Sequence, residues 1–96
     1  MNTITVDRYE EMCAACPTIY DIYLSNGVKL YFRLRNGSAR ICNDMTEELI
    51  WSASMPHHDG FITLSEIEVI LFREVIDPLN KILADKHLFK IIKDDL

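Results

Sequence analysis

From Thr18 to Cys42 the apolar residues of this chain recur at nearly every second position, and Asn-Gly interrupts the run twice. No other feature constrains the fold as much. A period of two belongs to a strand with one buried face, and Asn-Gly marks places where a strand reverses. Tyr20, Ile22 and Leu24 alternate with Asp21 and Tyr23, and then Val28, Leu30, Phe32 and Leu34 alternate with Lys29, Tyr31, Arg33 and Arg35. At Ser25-Asn26-Gly27, a two-residue turn would pair Leu24 with Lys29 and split the apolar sets between opposite faces. A three-residue loop closed by Gly27 in the left-handed conformation instead pairs Leu24 with Val28, Ile22 with Leu30 and Tyr20 with Phe32, and is the expected turn. At Asn36-Gly37 a two-residue type I′ turn suffices, setting Leu34 against Ala39 and Phe32 against Ile41. The expected unit is a three-stranded antiparallel meander with one apolar face. Its other face would carry Tyr23, Lys29, Tyr31, Arg33, Arg35, Arg40 and Cys42.

The flanks read as mostly helical. Asn2 to Val6 has the alternation of a short strand, a possible fourth. Asp7 with Glu10 has capping-box spacing and predicts a helix from Arg8 to about Cys16, stopped by Pro17. Asn43 or Asp44 starts an expected second short helix, with Asp44 and Glu47 repeating that spacing and Met45, Leu49 and Ala53 along it, and a strand over Leu49 to Ala53 is the alternative. Pro56 to Gly60 is a loop by composition. Ser65 as cap, Glu68 closing the box and Leu64 stapled to Val69 predict a helix whose buried stripe is Ile67, Ile70, Leu71, Val75 and Ile76. Pro78 should kink or restart it, with Asp77 as cap and a final helix to about Lys93 carrying Leu79, Ile82, Leu83, Leu88, Phe89 and Ile92. The whole is one α+β domain over residues 1–96, a meander packed against helices with a helical C-terminal half. Its helices bring more apolar surface than a three-stranded sheet covers, which predicts self-association as a homodimer.

Composition narrows the function classes. A hydrophobic fraction of 49% with 26% charged residues is that of a chain that folds unaided. No apolar run is long enough to span a membrane, and the first residues lack a signal peptide's pattern, so the expected compartment is the cytosol, with the thiols reduced. The net charge of −5 argues against general affinity for nucleic acid. Its distribution is two-sided: residues 29–40 carry Lys29, Arg33, Arg35 and Arg40 with no acid, whereas residues 44–77 carry eight acids against Arg73 alone.

Cys13-Ala14-Ala15-Cys16 is the one motif of recognisable form. On a helix its spacing places both sulfurs on one side, as two zinc ligands or a dithiol, and Cys42 with His57 or His58 would complete a Cys₃His set. The plainer reading is small thiols filling a tight contact, and no metal or other cofactor is expected. His57-His58-Asp59 sits in a polar loop, and adjacent histidines point apart. The chain has no nucleophile elbow, phosphate-cradling glycine loop, HExxH or EF-hand pattern. Glu10-Glu11 and Glu47-Glu48 are accounted for as acids in first helical turns.

The basic face is the more informative feature. Its register sets Arg33 directly opposite Arg40, a destabilising relation that an anionic partner would relieve. The function expected first is therefore a non-enzymatic interaction or regulatory protein that docks on a protein partner through Tyr23, Lys29, Tyr31, Arg33, Arg35 and Arg40. By size and composition it is comparable to small bacterial or phage-encoded inhibitors. The alternatives are a nucleic-acid-binding module using the same basic and aromatic face, and a small zinc or thiol protein using Cys13, Cys16 and Cys42.

Overall fold

A computed structural model describes residues 3–58 and 60–84 of the chain. Five strands follow one another in a single antiparallel sheet: β1 (Val6–Cys13), β2 (Thr18–Leu24), β3 (Lys29–Arg35), β4 (Ser38–Asn43) and β5 (Leu49–Ser54). The central meander has the register expected from its turns, with Ile22 opposite Leu30, Tyr20 opposite Phe32, Phe32 opposite Ile41 and Leu34 opposite Ala39. Leu24 N–H donates to Val28 O at 2.9 Å across the three-residue loop, where Gly27 has φ of 87°. At the next turn Asn36 and Gly37 both have positive φ, 52° and 75°, as a type I′ turn requires.

Two expected helices are strands. Residues 8–13, read as helix from the Asp7/Glu10 spacing, form most of β1, with Tyr9 opposite Ile22 and Glu11 opposite Tyr20. A helix this short is marginal alone, whereas the open edge of β2 offers backbone partners to an extended chain. The helix expected after Asp44 is absent as well. Its alternative, the strand over Leu49 to Ala53, is β5, placing Trp51 against Ile41 and Ala53 against Ala39. The sheet thus has five strands where three, or four, were expected.

Among the described residues one helix crosses the apolar face of the sheet. α1 (Leu64–Leu71) is capped by Thr63, whose hydroxyl accepts from Glu66 N–H, so the cap lies two residues before the expected Ser65. Hydrogen bonds from His58, at 2.8 Å, and then from Thr63 hold the Glu66 carboxyl below the usual carboxylate range. The expected stripe of Ile67, Ile70, Leu71, Val75 and Ile76 is buried throughout. Pro78 neither ends nor restarts the helix. A π-helical turn over Phe72–Ile76, closed by Asp77 N–H on Phe72 O, precedes it, and helical structure continues over residues 77–84. The wider turn absorbs the proline's missing donor and bulky ring. Leu88, Phe89 and Ile92 of the expected final helix lie outside the described residues.

The core is the layer between sheet and helix, with Ile22, Leu30, Phe32, Leu34 and Ile41 meeting Ile62, Ile67, Leu71 and Ile76, each at most 2% exposed. Two polar clasps close it. The Asn80 amide accepts from Ile4 N–H at 2.8 Å and donates to Ile4 O at 3.0 Å, tying the N-terminal arm to the helix. At the other end Gly60 O accepts from Cys16 N–H and from the Thr18 hydroxyl, both at 2.8 Å. Among the described residues no helix is long and apolar enough to cross a membrane.

Candidate functional site

With the helix on one face, the other face of the sheet carries the side chains singled out by sequence. Alternation places Arg8 and Glu10 of β1, Asp21 and Tyr23 of β2, Lys29, Tyr31, Arg33 and Arg35 of β3, and Arg40 and Cys42 of β4 on it together. These residues form two electrically different ends.

Near the β2–β3 turn the charges are compensated. Lys29 Nζ lies 3.4 Å from the largely buried carboxylate of Asp21 and 3.1 Å from Asp44, and those bonds, Asp44 first, raise the lysine pKa. Tyr23 donates to Glu10 at 3.4 Å, and the Arg8 guanidinium, 3.4 Å from the same carboxylate, sits 4.1 Å above the Tyr23 ring. Lys29 Nζ is 5.6 Å from that ring centre. Tyr23 and Lys29 are thus already engaged within the protein.

Near the β3–β4 turn the charges are uncompensated. Arg33 and Arg40 are cross-strand partners, and Arg35 stands two positions from Arg33 on the same face, opposite Ser38. The three arginines, with Asn36 and Ser38, line an open depression of about 320 Å³. None of the three has a carboxylate partner among the described residues. Among the described residues Arg33 Nε is buried without a hydrogen-bond partner. A buried donor left unpaired costs about 1–3 kcal/mol, and like charges directly opposite add to that. Three guanidinium groups provide many fixed donors, and among the described residues no carboxylate pairs with them.

A second depression adjoins the first at Arg40 and is lined by Tyr31, Cys42, Asn43, Asp44 and Glu47. The basic patch is therefore fringed by acids. Of the six residues expected to bind a partner, Arg33, Arg35 and Arg40 converge, Tyr31 stands half-buried beside them, and Tyr23 and Lys29 belong to the compensated end. Asp21, which engages Lys29, follows from the same alternation as its neighbours. Arg8 and Glu10 could be placed here only by reading β1 as a strand. Asn36 and Ser38 enter the site through the turn itself.

The thiols do not converge. Cys13 ends β1 opposite Ile19, exposed Cys16 lies in the following turn, and Cys42 faces Tyr31 on β4. Among the described residues no group of three or more His, Cys, Asp or Glu side chains is placed to hold a metal ion. Comparison with known proteins finds no matching family model, no similar curated protein and no similar solved structure.

Proposed function

We propose that this protein is a non-enzymatic, self-associating docking protein of the cytosol, and that the Arg33, Arg35 and Arg40 end of its outer sheet face seats an acidic segment of a protein partner. The observation that supports the reading is the triad itself: three arginines around one depression, without a carboxylate partner among the described residues, and one with a buried Nε that has no acceptor among them. Carboxylates of a partner would accept from these guanidinium groups in charge-assisted, bidentate fashion, the strongest hydrogen bonding available to exposed side chains. Occupying the face would regulate or inhibit the partner by covering its acidic surface.

The nucleic-acid reading is weaker for two reasons. A stacking platform needs open aromatic faces, and Arg8 already covers the Tyr23 ring. A polyanion extended along the sheet would also meet Asp44 and Glu47 beside Arg40. Fluorescence anisotropy separates the two, using a labelled peptide of consecutive glutamates and a labelled single-stranded oligonucleotide at low salt. The proposal expects the peptide to bind more tightly, and Arg33→Gln with Arg40→Gln to weaken it at least tenfold. Tighter oligonucleotide binding, with a steep salt dependence, would reverse the assignment.

A further inference from the structure

The two edges of the sheet are built differently. β1 carries Asp7, Arg8, Glu10 and Glu11 and has two register irregularities against β2, features that keep an edge from accepting another strand. β5 reads Leu-Ile-Trp-Ser-Ala-Ser, with no charge and no proline, and its one irregularity lies at its start, leaving Trp51 to Ser54 in regular pairing. Apolar surface borders the same margin. Leu49 is 57% exposed and Ile50 41%, and on the helix Val69 is 59% exposed and Ile82 51%. Ile50 and Ile82 share one open depression, and Val69 shares another with Met55, just past the strand. An unguarded edge and an apolar border coincide here, among the described residues.

We propose that a second copy of the chain pairs antiparallel on β5 about a two-fold axis at Ser52, joining two five-stranded sheets into one. The inference rests on the self-association proposed above and is independent of the arginine reading. The strand fits itself. Directly opposed residues of an antiparallel pair share a face, so a two-fold axis normal to the sheet falls on a residue; at Ser52 it sets Trp51 of each copy against Ala53 of the other, large against small. Charge selects the direction. Glu47 and Glu48 precede β5, and parallel pairing would set them beside their own equivalents. Antiparallel pairing about Ser52 separates the two Glu48 residues by eight positions, about 26 Å at 3.3 Å per residue, well beyond the Debye length of about 8 Å, and brings each acidic end toward His57 of the other copy. Such an axis keeps the faces of the sheet, so both arginine depressions open on the same side and engage a repetitive acidic partner bivalently.

Sedimentation velocity on the full chain tests this, with Trp51, the chain's one tryptophan, as a local reporter. The wild type is expected to be a dimer at tens of micromolar that dissociates on dilution, with Trp51 emission moving to the red. Ser52→Lys opposes two lysines at the axis and should raise the dimer Kd at least tenfold with an unchanged circular dichroism spectrum; Ser52→Glu should do the same. An equimolar mixture of the two variants should recover the dimer. A dimer equally stable in Ser52→Lys would overturn β5 as the contact while leaving self-association standing, and a wild-type monomer at several hundred micromolar would overturn both.

Discussion

Replacing Arg33 by methionine should stabilise the fold while weakening the docking surface. The substitution keeps a long unbranched stem on β3 and removes two unfavourable features together: the charge directly opposite Arg40 and the buried Nε, which has no partner among the described residues. Opposed like charges on a sheet cost roughly 0.2–1 kcal/mol, and an unsatisfied buried donor about 1–3 kcal/mol. Allowing for the guanidinium's residual contact with solvent, the expected gain is about 1–2 kcal/mol. With a urea m-value of about 1–1.5 kcal/mol/M for a chain of this size, the unfolding midpoint should rise by roughly 1 M. The two contributions separate with salt: the Coulomb part fades at about 0.5 M sodium chloride, and the Nε part persists. Urea unfolding followed by circular dichroism at low and high salt, beside peptide binding by anisotropy, measures all three quantities. A variant destabilised by more than about 1 kcal/mol, with peptide affinity intact, would refute the reasoning, because Arg33 would then be a structural residue with an unrecognised partner.

Other residues give further tests. Burial, with a smaller contribution from Glu68, raises the Tyr9 hydroxyl pKa to about 12, and the hydroxyl has no hydrogen-bond partner among the described residues. The unfolded chain deprotonates first, near pH 10, so stability should be constant below that and fall between about pH 10 and 12 by on the order of 1–2 kcal/mol. Tyr9→Phe should remove that loss and be at least as stable at pH 7, as denaturant melts across pH would show. A Cβ on Gly60 would stand 2.8 Å from Cys16 Cα, so Gly60→Ala should cost about 2 kcal/mol and lower Tm by roughly 10 °C, read by thermal melting. Asn80→Ala unclasps both polar groups of Ile4 and should cost about 1–2 kcal/mol, with faster amide exchange at Ile4.

The meander was legible because register there is fixed locally. A one-residue slip at either Asn-Gly turn would expose Ile22 or Phe32, so sequence spacing alone determines that Arg33 meets Arg40. The edge strands were not legible in the same way. Residues 8–13 carry a local signal for helix and residues 49–53 signals for helix as well as strand, and what decides the outcome is the unpaired edge of β2 or β4, a tertiary partner no local window contains. The candidate site divides along the same line. Its arginines lie on the locally determined strands, whereas the compensation of Tyr23 and Lys29 depends on Arg8 and Glu10 arriving on β1 and on Asp44 folding back after β4. The continuous helix through Pro78 is a third case, because the π-helical turn that accommodates the ring has no sequence marker beyond the proline itself.

The most direct test of the docking surface is an NMR titration of the full chain with the acidic peptide at low salt, following backbone amides and arginine Nε–Hε resonances. Binding as proposed shifts the Hε signals of Arg33, Arg35 and Arg40 and the amides of the β3–β4 turn, and leaves Arg8 and the helix unmoved. Shifts concentrated on any other surface, or none at millimolar peptide, would contradict the account.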